Sequence, residues 1–587
     1  MAVEKLITDH FDTWTSALQT RSTAGRGSNG KIDQYGIKKL RELILELAVR
    51  GKLVPQDPND EPASEFLKRI AAEKAELVKQ GKIKKQKPLP EISEDEKSFE
   101  LPVGWEWVRL AEAFDVRDGT HDTPKYQMSG YPLVTSKNLS SGRLDLSDIK
   151  YIGEEDHKKI NERSFVERND VLFAMIGSIG NPVIVDVDEE FSIKNVALFK
   201  YYEKELAQPE FLKNVLESLS LKLKNSSSGG VQPFVSLGAL RNIVIALPPL
   251  QEQRRIIAKL SEFISLCHQL EQQSLTSLEA HFQLVEALLS TLTDSQNAGE
   301  LAENWARISQ HFDTLFTTEA SIDALKQTIL QLAVMGKLVP QDPNDEPASE
   351  LLKRIELEKA QLVKEGKIKR QKTLSPISDE EKPFELPQGW EWCRFEELVD
   401  IQSGITKGRN LTGKTLISVP YLRVANVQRG YLELSNIKTI EIASEEKGKY
   451  RVNKGDLLIT EGGDWDKVGR TALWTGAINY IANQNHVFKA RPITNEQNVK
   501  WLEMFMNCPV SRDYFAGASK QTTNLASINQ TQLRGCFIAL PPIDESNRIL
   551  NKYFTLVNLC DALISRLQAA QQTQLHLADA LTDAALN

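Results

Sequence analysis

The sequence predicts an α+β chain with an internal pseudo-two-fold repeat, in which two mixed helix-and-strand modules are separated by long coiled-coil helices. Three observations predict it. Residues 46–107 realign on residues 331–392 at a constant shift of 285 without a gap, and 47 of the 62 pairs are identical, far beyond coincidence. Two runs of about 40 residues without an interior proline carry apolar residues at alternating steps of three and four, the spacing of a helical seam. Between the repeated blocks lie two stretches rich in Val, Ile, Tyr and Phe, cut into short runs by Gly, Asn and Asp, which is strand-and-turn composition.

The repeat comes first in the chain. Its core, GKLVPQDPNDEPASE, stands at 51–65 and 336–350, and it closes on FELPxGWEW at 99–107 and 384–392. It reaches back to ITDHFDT at 7–13 and ISQHFDT at 308–314, the first copy carrying an extra Gly/Ser-rich loop at 22–30. A second repeat, at a shift of 293, pairs VIALPPLQEQRRI (244–256) with FIALPPIDESNRI (537–549). Each leads into a seam: Ile256, Leu260, Phe263, Cys267 and Leu270, then Ile549, Tyr553, Leu556, Cys560 and Leu563. At the helical rise, each helix spans roughly 60 Å. Six segments result: a helical block with a proline-rich arm (1–107), a first module (108–248), a long helix (249–294), the repeated block (295–392), a second module (393–541) and a second long helix (542–587). Short helices are expected near PEFLKNVLESL in the first module and VKWLEMFMN in the second. The modules share a skeleton, with Asp170 aligning with Asp456, Asn195 with Asn485, and Leu240–Arg241 with Leu533–Arg534.

Composition narrows the class. At 587 residues the chain is too long for one core. No apolar stretch is long enough to span a membrane, and charges occupy the place of a signal peptide's apolar region. The five cysteines form no CxxC pair and no HExxH occurs, so no metal site or disulfide framework is expected and a reducing cytoplasm is the expected location. A net charge of −8 speaks against a basic surface over the whole chain. Residues 386–541 nevertheless carry 19 Lys+Arg against 15 Asp+Glu, whereas 101–248 carry 17 against 21, so the second module has the stronger electrostatic attraction for a polyanion.

Two dissimilar modules, each closed by an IALPP segment and a long helix and flanked by GKLVPQDPNDEPASE blocks, resemble the specificity subunits of type I restriction-modification systems. The resemblance covers essentially the whole chain and is greatest to the larger members of that family. It implies two target-recognition domains joined by an antiparallel pair of long helices, reading an asymmetric, bipartite site in double-stranded DNA. It implies two methyltransferase subunits docked on the repeated blocks and restriction/translocase subunits outside them. S-adenosylmethionine, ATP and magnesium are then expected on those partners, and no cofactor on this chain.

Within that reading, candidate DNA contacts in the first module are Thr120, His121, Thr123 and Lys125 on DGTHDTPKY, Lys137 and Asn138 on TSKNL, and Gln232. In the second they are Thr406, Lys407 and Arg409 on SGITKGRN, Arg423, Asn426 and Arg429 on LRVANVQRG, Asp464 and Lys467, and Lys520, Gln521 and Asn524. Arg and Lys suit guanine edges and phosphates, and Asn and Gln suit adenine. Trp105, Trp107, Trp390 and Trp392 read as packing anchors at the module entrances. The basic runs GKIKKQK (81–87) and GKIKRQK (366–372) read as solvated arms or partner contacts.

One motif points to chemistry. GRNLTGKT at 408–415 fits the phosphate-loop expression GxxxxGK[ST], which works only where a helix follows. LISVPYLRV follows instead, strand-like and carrying Pro420, so a basic loop beside DNA is the expected reading. No NPPF- or DPPY-type methyltransferase signature, GxGxxG or nuclease-like motif occurs, and no residue is assigned a catalytic role. The alternatives are a phosphate-loop nucleotide-binding enzyme and a coiled-coil adaptor without a DNA role.

Overall fold

The two seams form helices of 45 and 44 residues, Leu250–Asp294 and Ile543–Leu586, in the computed structural model, which describes residues 3–21, 31–177, 179–226, 234–463, 467–522 and 525–586. The chain divides into two units, residues 1–277 with 569–587, and residues 278–568. The first long helix starts in the first unit and ends in the second, and the second long helix starts in the second and ends in the first.

In the first unit, Ile256, Leu260, Phe263, Cys267 and Leu270 of the first seam are all buried, in one core with Leu40, Ile44 and Trp14. The end of the second long helix joins that core through Ala578. In the second unit, Val285, Leu289 and Leu292 share a core with Ile322, Leu325, Ile329 and Cys560.

The repeated blocks clamp these helices with one set of contacts used twice. Buried Glu252 accepts from Trp105 Nε1 at 3.0 Å and from Gln56 Nε2 at 3.1 Å, and Arg255 pairs with Asp60 at 2.6 Å. In the second unit Glu545 accepts from Trp390 at 3.0 Å and Gln341 at 3.1 Å, and Arg548 pairs with Asp345 at 2.6 Å. Burial pushes both glutamate carboxyls above their ordinary pKa, opposed by those hydrogen bonds. The same blocks also hold helix ends. Lys52 Nζ donates to the Leu586 carbonyl at 2.9 Å, and Lys337 Nζ to Thr293 and Ser295 carbonyls at 2.7 and 2.9 Å, a cation at the electronegative C-terminus in both cases. So each block grips the start of one long helix and the end of the other. Gly51 and Gly336 adopt φ near +70°, and a Cβ there would lie 2.9 Å from the Trp105 or Trp390 ring. Trp105 and Trp390 are thus the packing anchors expected.

Each module hangs on a two-stranded antiparallel ribbon, Glu106–Arg109 with Val244–Leu247 in the first and Glu391–Arg394 with Phe537–Leu540 in the second. Beyond the ribbon the first module builds an antiparallel sheet in the order Asp115–Asp118, Val196–Lys200, Val171–Ala174, Gly180–Ile184. The second repeats it with Val399–Gln402, Val487–Pro492, Leu457–Thr460 and Thr471–Leu473. The aligned aspartates hold equivalent places: Asp170 accepts from Lys200 at 2.6 Å, Asp456 from Arg491 at 2.7 Å. A smaller sheet in each module pairs Tyr131–Val134 in parallel with Ser192–Ile193, or Leu416–Leu422 with Ala482–Asn483. The expected short helices are Pro209–Ser226 and Val499–Met506.

Candidate nucleic-acid interface

The DGTHDTPKY loop of the first module leaves strand Asp115–Asp118 through a crossing that only glycine permits: a Cβ on Gly119 would lie 2.1 Å from the Ile193 carbonyl oxygen. Thr120 N donates to the Ile193 carbonyl at 3.0 Å and Asn195 N to the Thr120 carbonyl at 3.1 Å, with Asn195 at φ 56°. His121, about half exposed, is held from both sides, Nε2 3.0 Å from Asp118 Oδ2 and Nδ1 2.9 Å from Asn195 Oδ1. The other Asp118 oxygen takes Arg163 at 2.6 Å. Lys194 donates to the Thr123 hydroxyl, Lys125 is exposed, and Lys150 lies over the Tyr126 ring at 4.3 Å. Thr120, His121, Thr123 and Lys125 therefore share one pinned, solvent-facing loop. Lys137 is exposed on the 3-10 turn Ser136–Leu139.

The second module repeats the crossing. A Cβ on Gly404 would lie 2.2 Å from the Asn483 carbonyl oxygen, Ile405 N donates to that carbonyl at 2.8 Å, and Asn485 N donates to the Ile405 carbonyl at 3.0 Å. Thr406 and Lys407 are exposed beyond it, the Lys407 ammonium 5.7 Å from the Tyr421 ring centre. On the neighbouring loop His486, also about half exposed, sets Nδ1 2.6 Å from Glu461 Oε2, and Asn485 Nδ2 lies 3.4 Å from His486 Nε2. Backbone bonds fix this arrangement: Glu461 N donates to the His486 carbonyl at 3.0 Å and Ile528 N to the Glu461 carbonyl at 2.9 Å. Arg429 and Lys467 are half-buried. Arg423 is half-buried and donates to the Asn436 carbonyl at 2.9 Å.

Three expected readers are corrected. Asn138 and Asn426 do not face solvent: they are 7% and 2% exposed and spend their amides on their own turns. Asn138 Oδ1 accepts from Thr135 N at 2.9 Å, and Nδ2 donates to the Asp145 carbonyl at 2.9 Å. Asn426 Oδ1 accepts from Arg423 N at 3.0 Å, and Nδ2 donates to the Glu433 carbonyl at 2.8 Å. A short side chain with both donor and acceptor is what such a turn requires, so sequence composition alone does not tell it from a base reader. Arg409 turns inward onto Glu446 and the Tyr450 hydroxyl, each at 2.9 Å, tethering its loop and holding the Glu446 carboxyl below its ordinary pKa. Gln232, Asp464 and Asn524 lie outside the described residues, as do the side chains of Lys520 and Gln521. Sequence reasoning missed the His486–Glu461 pair. Its two residues are 25 positions apart, and only the sheet brings them together.

The phosphate-loop motif does not form a nucleotide site. Residues 416–422 continue as strand, where the motif needs a helix N-terminus, and Lys414 pairs with Glu445 at 3.0 Å. Among the described residues no group of three His, Cys, Asp or Glu side chains is placed to hold a metal ion, and no helix is long and apolar enough to cross a membrane. The basic runs stay in solvent, with Lys82, Lys84, Lys85 and Lys87 exposed, as are Lys367, Lys369, Arg370 and Lys372.

A family model described as the type I restriction modification DNA specificity domain matches the chain twice, at residues 102–280 and 387–570. Over the full length of both chains, the sequence is 51% identical to the type I restriction enzyme EcoEI specificity subunit and 49% identical to the EcoAI specificity subunit, both of Escherichia coli. The crystal structure of the HsdS subunit from Thermoanaerobacter tengcongensis matches 84% of this chain and 98% of its own, at 20% identity and a TM-score of 0.37.

Proposed function

The chain belongs to the type I restriction-modification DNA specificity family, and from that premise we propose that it chooses the DNA sequence on which a type I enzyme acts. It reads an asymmetric bipartite site, one half with each module, and scaffolds the subunits that perform the chemistry. The observation that carries this reading is the double match of one specificity-domain model onto the two diverged modules, which sit between nearly identical blocks. A split, asymmetric site needs two different readers at a fixed spacing. Like partners need like docking sites, and a pseudo-symmetric scaffold offers them.

The modules span 108–248 and 393–541, the long helices 249–294 and 542–587, and the repeated blocks 1–107 and 295–392. Two methyltransferase subunits dock on the repeated blocks and restriction subunits add outside them, in the cytoplasm. This chain itself is non-catalytic; S-adenosylmethionine, ATP and magnesium act on the partners. Contacts to double-stranded DNA come from Thr120, His121, Thr123, Lys125 and Lys137 in the first module. In the second they come from Thr406, Lys407, Arg423, Arg429 and Lys467, with Gln232, Asp464, Lys520, Gln521 and Asn524 proposed on sequence alone. The exposed Lys407 and Lys125 suit phosphates, and the guanidinium groups suit guanine edges.

The test is a module exchange. Residues 108–248 are replaced by the corresponding module of a relative with another target, and DNA from cells carrying the system is sequenced for methylated bases. One half-site changes and the other stays. A change in both halves, or in neither, refutes the modular reading.

A further inference from the structure

Each module exposes one imidazole braced by a carboxylate at the same edge, and the two arise from different places in the chain. His121 sits on the loop after the first sheet strand; the position 285 residues later is Thr406. His486 sits instead on the loop that pairs with Thr406's strand end, beside Asn485. Duplication therefore did not copy this feature from one module to the other. An exposed His–carboxylate pair contributes little stability, being screened by water and costing side-chain freedom. Its chief physical effect is to fix the ring.

We propose that His486 is a specificity-determining residue that reads the exocyclic amino group of an adenine in the second half-site, with Glu461 as its positioning residue. This rests on the DNA-reading function proposed above. A carboxylate only accepts, so the 2.6 Å contact to Glu461 places the ring proton on Nδ1. Asn485 turns its Nδ2–H toward Nε2 at 3.4 Å, as an accepting Nε2 requires, and among the described residues this long contact is the one donor recorded against it. In the major groove, adenine alone sets an amino donor beside the N7 acceptor. Its amine replaces that long contact at Nε2 with a shorter bond, and Asn485 Nδ2–H turns to N7. Cytosine sets its amine beside O6 of the paired guanine, displaced across the groove from the purine N7, and guanine itself offers acceptors only, so a reader aligned on one purine edge selects adenine.

The test uses the full chain assembled with its methyltransferase subunits and duplexes carrying its own bipartite site. Each adenine of the second half-site is replaced in turn by purine, which lacks the amino group, or by 7-deazaadenine, which lacks N7. The wild type shows one adenine at which amino removal weakens binding roughly 5- to 150-fold. His486→Ala loses a comparable factor on the natural site and becomes indifferent to that amino group, while responses across the first half-site stay as in the wild type. Glu461→Ala gives a smaller loss at the same adenine and serves as the reading if His486→Ala does not assemble. Retention of full wild-type sensitivity at every second-half-site adenine by both variants overturns the proposal. A wild-type complex indifferent to sequence in both half-sites sinks the family-level reading instead, a different outcome.

Discussion

Replacing Asn426 by alanine separates a turn-holding role from a base-reading one. The side chain makes three hydrogen bonds, from Arg423 N at 3.0 Å and to the Glu433 and Asn436 carbonyls at 2.8 and 3.3 Å, in a site 2% exposed. Each is worth about 1 kcal/mol net, and the stripped groups are left in a buried turn without partners, so the loss is about 2–4 kcal/mol. At 1.4 kcal/mol per tenfold, amide exchange across residues 416–437 then speeds roughly 30- to 1,000-fold where local opening governs it. Hydrogen exchange followed by mass spectrometry on that peptide measures this. A base reader predicts the opposite pair of results: normal protection and one degenerate base in the second half-site, at about 1–3 kcal/mol of lost discrimination. Unchanged protection with a relaxed base would falsify the turn assignment. Asn138→Ala repeats the test in the first module, where the amide also holds Thr135 Oγ1 at 3.0 Å.

The clamps and one buried lysine give further expectations. Trp105→Phe and Trp390→Phe each remove one hydrogen bond to a buried glutamate, at about 1.5–3 kcal/mol, and a denaturant midpoint that moves for only one of the two contradicts the equivalence of the clamps. Burial, with repulsion from Arg491, pushes the Lys489 ammonium down to about 8, against attraction from Asp456 and Asp400. Because the folded pKa lies below the unfolded one, the folded state carries its full cost below about pH 8 and gains stability as pH rises toward the unfolded value. Relative to Lys489→Met, wild-type stability therefore climbs between pH 8 and 10, by at most about 1.4 kcal/mol per pH unit. A flat difference across that range removes the basis for the shift.

The architecture was legible because periodicity and repetition are one-dimensional signals. The seam from Ile256 to Leu270 and the paired IALPP segments announce the long helices, and the FELPxGWEW blocks announce the module entrances. The reason the blocks match so closely was only partly legible. The docking of like partners proposed above bears on surface residues, but Gln56, Asp60 and Trp105 are also held alike because Glu252 and Arg255 must be gripped, and Lys52 because a helix end must be capped. The site was read less well. Polarity in a turn marked both Asn426, which faces inward, and Lys407, which faces out, since composition does not encode direction. His486 and Glu461 left no local signature, because neither is unusual alone and the contact exists only through the pairing of strands far apart in sequence.

The ribbon at the base of each module brings its two ends together: Val108 pairs with Ile245 and Cys393 with Ile538, a Cα separation of about 5 Å across an antiparallel ladder. To the backbone of the scaffold, an entire module is thus a single closed loop with its two ends side by side, and its side chains also pack on the scaffold, Ser218 donating to Glu46 and Asn498 to Ser546. Lengthening such a loop adds only a logarithmic closure entropy, about 0.6 kcal/mol per doubling. Insertions, deletions or wholesale replacement inside the loop leave its two attachment points in place. A replacement module therefore leaves the chain path of the scaffold unchanged, provided it keeps the face that packs on the block and varies the surface that meets the DNA target.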